Sequence, residues 1–327
     1  IFSDSLRHQR VTAMNNFSRA VSELKKHNEV IILTHANPDG DTLGCGYALM
    51  GALREQGKRV MLLNKDRIPD KFGYMVLDND EVDRKTAYVV AVDVADKKLF
   101  GEELKDEFGD RTNLCIDHHT SNKFYADLTV LDGESAAASE ILYEFIRAMG
   151  AEITPHIAAC LYTGISTDTG CFKYSNVTAK THRIAAELIE TGIDHSKINE
   201  IMFDTKSMNN LMLEKMCLET LEIYADGKIA SVCVTQEMLR VCGTDKSAID
   251  AIKPITRQIE GVEIGLTFKE DEAGAIGVSV RTGENYNASE ICALFGGGGH
   301  ARAAGCQIKT DLSRAKAKVI EAIKEIL

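Results

Sequence analysis

The sequence predicts an α/β protein: a doubly wound parallel-sheet domain, then a smaller α+β domain, with the active-site cleft between the two. Three patterns predict it. From Glu29 onward, short apolar runs alternate with amphipathic stretches, the strand–helix beat of a parallel sheet. Acidic residues and histidines stand just after several of those runs, where an open α/β sheet collects its ligands. Beyond Glu222 the runs alternate with a period of two, as antiparallel strands do.

Thr12 to Asn28 reads as an amphipathic helix. Glu29 to Thr34 is a buried strand ending at His35, and a turn rich in Pro, Asp and Gly leads into a helix from Thr42 to Gln56. Arg59–Asn64, Tyr88–Val94 and Asn113–Ile116 repeat the strand pattern. Glu134 to Gly164 holds two helices, the second leading into Thr167-Asp168-Thr169-Gly170. Lys180–Glu190 and Ser207–Thr220 are helical, with Thr191–Lys206 as an interdomain connector. Strands follow at Lys228–Thr235, Gly261–Lys269 and Gly274–Arg281, and helices at Ala288–Leu294 and Leu312–Ile326. The expected division is a catalytic domain over 1–195, a helical linker over 196–222 and a substrate-binding domain over 223–327.

The 327 residues suffice for two domains, at roughly 150 residues each. Four prolines and 44% hydrophobic residues leave no room for a long disordered arm. The nine cysteines form no C-x-x-C pair, so a reducing, cytoplasmic compartment is expected rather than a zinc ribbon or redox pair. No run reaches the roughly 18 apolar residues of a membrane span. Ile1-Phe2-Ser3-Asp4 has no signal-peptide layout and no initiator Met, which leaves an upstream piece open. A net charge of −11 argues against gripping long nucleic acid through a broad basic face. A short phosphate substrate, held by metals and a few Arg or His contacts, remains compatible with it.

His35, Asp39 and Asp41 share one loop, where Pro38 and Gly40 bend the chain so that two carboxylates can face different metals. The same residues fit an Asp-Gly turn with a helix cap. Asp93 leaves the apolar run Val89-Val90-Ala91-Val92, an expensive place for a carboxylate unless it is paired or metal-bound. A structural salt bridge is the alternative there. Asp117-His118-His119 is the sharpest element: one imidazole can coordinate, the carboxylate can orient a ring nitrogen, and the adjacent His can face the scissile phosphate. A surface His pair is its plain alternative. Asp168, between two threonines, also fits a helix cap. Together, hard carboxylates and imidazoles from four remote stretches suit two divalent cations about 3.5–4 Å apart. His8, His27, His156, His182 and His195 have no such context.

In the second domain, Phe295-Gly296-Gly297-Gly298-Gly299-His300 removes side chains so that backbone can approach a ligand. A helix is expected to begin again there, which suits a phosphate. His300 adds a donor, and Arg281 at the end of a strand could clamp a phosphate bidentately. A flexible loop is the alternative.

The combination of His35-x-x-x-Asp39-x-Asp41, Asp93, Asp117-His118-His119 and Asp168 resembles the DHH phosphoesterase superfamily. The Gly-Gly-Gly-His tail resembles the C-terminal domain of the branch that contains RecJ exonuclease and nano-RNase. The likeness runs from about residue 12 to 310 and is nearest to the stand-alone nano-RNase and pAp-phosphatase group. It implies that His35, Asp39, Asp93 and Asp168 hold one metal and that Asp41, Asp93 and His118 hold the other, with Asp93 bridging. Two divalent ions are implied, manganese being the family's usual choice and suited to mixed carboxylate–imidazole donors. His119 is implied as the contact to the scissile phosphate, with Asp117 and Asp93 completing the catalytic set. Arg281, Gly297, Gly298, Gly299 and His300 are implied to hold the nucleotide or its distal phosphate. Cys45 departs from relatives that carry a small hydroxyl residue there, but lies outside the ligand set.

The implied activity is hydrolysis of short oligoribonucleotides, linear dinucleotides such as pApA, and 3′-phosphoadenosine 5′-phosphate (pAp), by hydroxide attack in line at phosphorus. The partners are then short RNA, dinucleotides and pAp, with no long duplex and no membrane, and a homodimer is left open. One rival is a cyclic di-AMP phosphodiesterase. From other classes come a silent nucleotide-binding protein, whose mark would be a missing ligand, and a nucleic-acid module, which the charge disfavours.

Overall fold

The computed structural model describes residues 16–327 except 246–247, 253 and 272–273. The expected helical residues 12–15 and His8 lie outside the described residues. The chain divides after Thr205 into two compact units.

In the first unit five strands form a wholly parallel sheet in the order β2-β1-β3-β4-β5. They are β1 Glu29–Leu33, β2 Arg59–Leu63, β3 Tyr88–Val92, β4 Leu114–Asp117 and β5 Leu128–Leu131. Alternate residues serve opposite faces. Val30 and Ile32 join a core built with helices α1 (16–25), α2 (Gly40–Glu55), α4 (Ala138–Met149), α5 (Pro155–Asp168) and α6 (Ala179–Glu190). Ile31 and Leu33 face a second core around Phe100, Leu104 and Phe108, the last two on α3 (Glu102–Phe108). Burial on both faces is why these strands read as unbroken apolar runs. The strand order reverses between β1 and β3, so the chain leaves two neighbouring strands at a switch point, the usual ligand position of such sheets.

Three details differ from the sequence expectations. Strand β3 stops at Val92, because Asp93 takes a left-handed φ of 57° that turns the chain out of the sheet. The four-residue strand β5 was too short to stand out. The connector at 191–206 is helical and packs into the first unit: α7 (His195–Asn199) runs into a π-helical turn at Glu200–Asp204, and Ile198 is buried in the first core. The later part of the expected linker forms α8 (Met208–Leu218), whose Leu213 and Cys217 pack into the second unit.

The second unit is a six-stranded sheet in the order β10-β11-β9-β8-β7-β6. Its strands are β6 Glu222–Tyr224, β7 Ile229–Val234, β8 Ile264–Glu270, β9 Ile276–Thr282, β10 Gly298–His300 and β11 Ala303–Ile308. Helices α11 (Ala288–Ala293) and α12 (Leu312–Lys324) cover one face. Helix α8, with α9 (Gln236–Cys242) and α10 (Ile249–Ile252), packs on the other around β7. The sheet is mixed rather than antiparallel throughout: β7 pairs with β8 in parallel, because the α9–α10 crossover returns the chain to the same end.

The glycine run also departs from expectation. No helix begins at it; Gly298–His300 forms β10, paired antiparallel with β11. Gly299 has a φ of 148°, and a Cβ there would stand 2.7 Å from the Ala303 carbonyl oxygen. At Gly297 a Cβ would lie 2.3 Å from the Gly305 carbonyl oxygen. Close strand approach therefore demands these glycines in its own right. Among the described residues no helix is long and apolar enough to cross a membrane.

Candidate metal centre

The loop after β1 aims His35 back over the sheet. Its Nδ1–H donates to the Ala36 carbonyl at 2.9 Å, which leaves Nε2 as the lone-pair nitrogen. That Nε2 lies 3.6 Å from Asp39 Oδ1 and 3.8 Å from Asp93 Oδ2. Asn64 steadies the loop by donating to the His35 carbonyl at 2.7 Å. Asp39 caps α2, its Oδ1 accepting from the N–H groups of Asp41 and Thr42 at 3.1 Å.

Asp41 is fully buried in the first turn of α2 and points at the start of α4. Its Oδ2 accepts from Ala138 N–H at 2.7 Å, and its Oδ1 from Ser139 N–H at 3.0 Å and Ser139 Oγ at 2.5 Å. The helix N-terminus thus stabilises a buried charge. Cys45 adds a thiol donor at 3.6 Å.

Asp93, 3% exposed at the end of β3, sits in the middle of the cluster. Its Oδ2 faces His35, while its Oδ1 lies 3.6 Å from His118 Nε2 and 3.4 Å from His119 Nδ1. His118 repeats the device of His35: Nδ1 donates to the Ser135 carbonyl at 3.2 Å, and Nε2 faces Asp93 and, at 3.3 Å, Asp168 Oδ2. Asp168 ends α5. Asp117 does different work. Its Oδ1 accepts from the N–H groups of His118 and His119 and from His119 Nδ1 at 2.8 Å, and its Oδ2 from Asn122 at 2.6 Å.

The electrostatics are those of a carboxylate cluster short of positive charge. Burial, then Asp41, Asp39, Asp168 and Asp117, push the Asp93 carboxyl well above the usual range. Burial, then Asp41 and Asp39, push Asp168 up to about 9. Burial opposes charge on Asp39 too, but the hydrogen bond and charge of His35 and the capped N–H groups hold it below the ordinary value. His35 shifts upward because Asp39 outweighs burial. The Asp117 hydrogen bond raises His119 against its burial. The ion pairs of Asp39, Asp93, Asp117 and Asp168 run to histidines among the described residues.

Within the cluster two buried atoms, Asp93 Oδ1 and His118 Nε2, have no hydrogen-bond partner among the described residues. Orphaned acceptors on a buried carboxylate and a fixed imidazole are costly unless a cation takes them up. Three overlapping groups could hold an ion: His35 with Asp39 and Asp93; Asp41 with His118 and Asp168; Asp93 with His118 and His119. Asp168 thus falls beside Asp41 and His118, whereas the family likeness puts it with His35 and Asp39. The donors and the orphaned atoms fit divalent cations.

The sequence-predicted residues of the second unit also converge, among themselves. His300, Ala303 and Arg281 lie side by side across β10, β11 and β9, and Gly298 and Gly305 form the next pair on the same face. His300 is exposed and Arg281 half-buried. Sequence reasoning missed Ser139, Asn122 and the Ser135 carbonyl. The only local signal for two of them was the small-residue stretch Ser135–Ser139, which leads into the first turn of α4.

Comparisons with known proteins agree with this architecture. The DHH family, N-terminal domain, matches residues 29–165, and the DHHA1 domain matches residues 232–327. The chain is 31% identical over 320 residues to the bifunctional oligoribonuclease and PAP phosphatase NrnA of Thermus thermophilus, covering 94% of each. With the protein of the same name from Bacillus subtilis it shares 27% over 298 residues, 88% of this chain and 92% of that one. An exopolyphosphatase-related protein from Bacteroides fragilis superposes with a TM-score of 0.86 at 25% identity, over 95% of this chain and 96% of that one. The chain therefore belongs to the DHH family and is a phosphoric-ester hydrolase.

Proposed function

We propose that this phosphoesterase uses two divalent cations, manganese by preference, to hydrolyse short oligoribonucleotides, linear dinucleotides such as pApA, and pAp. One observation carries the reading: the buried atoms Asp93 Oδ1 and His118 Nε2 are orphaned at the centre of a cluster of carboxylates and imidazoles. Relatives that match end to end and bear the name oligoribonuclease and PAP phosphatase supply the substrate class.

When bound, a pair of divalent cations supplies a nucleophile at neutral pH and positive charge for the phosphoryl oxygens. His35 and Asp39 would hold one ion, Asp41, His118 and Asp168 the other, and Asp93, whose two oxygens face different imidazoles, would bridge them. Asp117 keeps His119 oriented and favours its protonated form, so that its exposed edge donates to a phosphoryl oxygen as charge grows there. Arg281, Gly297, Gly298, Gly299 and His300 would take the nucleotide or its distal phosphate. Recognition of a short substrate by these few groups explains how an acidic chain degrades RNA fragments without a long basic track.

The test is a panel: purified protein with Mn(II) on pApA, short RNA, pAp and cyclic di-AMP. Turnover of the linear dinucleotide, short RNA and pAp is expected. Failure to hydrolyse any of these three would sink the substrate assignment, and preference for the cyclic dinucleotide would replace it.

A further inference from the structure

Most phenylalanine and tyrosine side chains of the described residues are buried or half-buried. Among the described residues the exposed ones are Tyr74, Phe124 and Tyr174. Tyr174, 59% exposed, follows Asp168 by one unusual turn. Gly170, Cys171 and Phe172 are consecutive residues with φ of 56°, 59° and 61°. Two of them carry side chains that rarely adopt this left-handed region.

The turn is held in that form from every side. Cys171 N–H donates to the Ser166 carbonyl at 2.7 Å and Phe172 N–H to Thr169 Oγ1 at 3.1 Å. The N–H groups of Lys173 and Tyr174 both donate to the Thr169 carbonyl, at 2.9 and 3.0 Å. Phe172 points inward, its ring stacked on His182 with centroids 5.6 Å apart. The Asn176 amide donates to the carbonyls of Asp168 and Ala136, tying the turn to both loops that shape the metal centre.

The product of this construction is the seat of Tyr174. A Cβ on Gly170 would stand 2.3–2.7 Å from the distal atoms of the Tyr174 ring, so the ring rests directly on the glycine with its other side open. Joining α5 to α6 does not require three left-handed residues. The turn instead seats a flat ring on bare backbone, a short way along the chain from Asp168 of the carboxylate cluster.

We propose that Tyr174 is a substrate-specificity residue: its open face stacks a nucleobase of the nucleotide whose phosphate lies at the metal centre. Stacking on an aromatic face tolerates any base, which suits an enzyme that clears short fragments of mixed sequence. The inference rests on the proposed phosphoesterase reading.

The experiment compares the full chain with Tyr174→Ala and Tyr174→Phe, loaded with Mn(II), on pApA and on the same dinucleotide backbone lacking both bases. Tyr174→Ala is expected to raise KM for pApA roughly tenfold, with kcat little changed and the base-free substrate unaffected. Tyr174→Phe should keep the wild-type KM, since stacking needs the ring and not the hydroxyl. Equal losses on both substrates, or a Phe variant as impaired as Ala, overturn the inference. Equilibrium binding of AMP against ribose 5-phosphate separates it from the hydrolytic reading, because no turnover is needed. An AMP preference that Tyr174→Ala abolishes supports stacking even if the dinucleotide is not cleaved. AMP binding unchanged by Tyr174→Ala overturns it even if cleavage is robust.

Discussion

The first unit gathers its chemistry in side chains that are costly to bury, and the second in places where side chains are absent. Around Asp93, hydrogen bonds to backbone fix Asp41, His35 and His118, and the Asp117 carboxylate fixes His119, so the cluster is held together by its own surroundings. Around Gly298 the surface is bare backbone, with His300 and Arg281 side by side on one face. A charged site needs a supporting layer that keeps repelling groups together, whereas a glycine strand needs only neighbours that leave no room for a Cβ. Substitutions in the two regions should therefore fail differently.

The largest effect belongs to Asp93. Asp93→Ala removes the one carboxylate that faces both His35 and His118, so hydrolysis should fall by at least about 10³-fold, and tight Mn(II) binding should go with it. Calorimetric metal titration alongside turnover checks both. Retained manganese-dependent activity would end the bridging role. One layer out, Asn122→Ala deletes the donor that holds Asp117 Oδ2 at 2.6 Å and loosens the carboxylate that orients His119. A loss of roughly 10–100-fold in kcat, with metal stoichiometry intact, is the expected outcome. If Asn122→Ala instead strips the metals, Asp117 supports the ligands rather than His119.

In the second unit the expected damage is smaller and confined to recognition. His300→Ala should raise KM for pApA about tenfold and leave a small generic phosphodiester untouched. Equal losses on both substrates would mean that His300 serves the chemistry, and the contrast between the two units would dissolve.

How much of this was legible in the sequence follows the same divide. Each candidate ligand stood out as a polar group after an apolar run or beside a glycine, but His35, Asp39, Asp41, Asp93, His118 and Asp168 each had a plain structural alternative, and only their combination pointed to metal. Their supports did not stand out this way. Ser139 reaches Asp41 across 98 positions, and the small-residue stretch around it does not say which carboxylate it serves. The glycine run was legible as a place without side chains, but its conformation was not. Four glycines fit a phosphate-binding helix start and a tight hairpin equally well, and only pairing with Ala303–Gly305 decides between them. The parallel β7–β8 pair was hidden for a similar reason: period-two alternation reports which face is buried, not which way the neighbouring strand runs.

The smallest effect concerns stability, and it sharpens the contrast most directly. The folded Asp168 carboxyl has its pKa pushed up to about 9 and Asp93 is also raised, chiefly by burial and then by neighbouring carboxylates. An unfolded aspartate titrates at about 3.9. Between these limits the native state holds more protons than the unfolded chain, so metal-free protein should lose stability as pH rises through this window. Mn(II) binds the deprotonated groups, so the stabilisation it adds should grow over the same range. Thermal unfolding of the full chain, with and without Mn(II), would show the metal-free melting temperature falling and the two curves diverging as pH rises. Asp168→Asn should flatten the metal-free slope, because it removes one of the titrating groups, while His300→Ala should leave it as it is. A metal-free melting temperature that climbs with pH would mean that the carboxylates are already neutralised from within the fold, and the cluster would have no call for a cation.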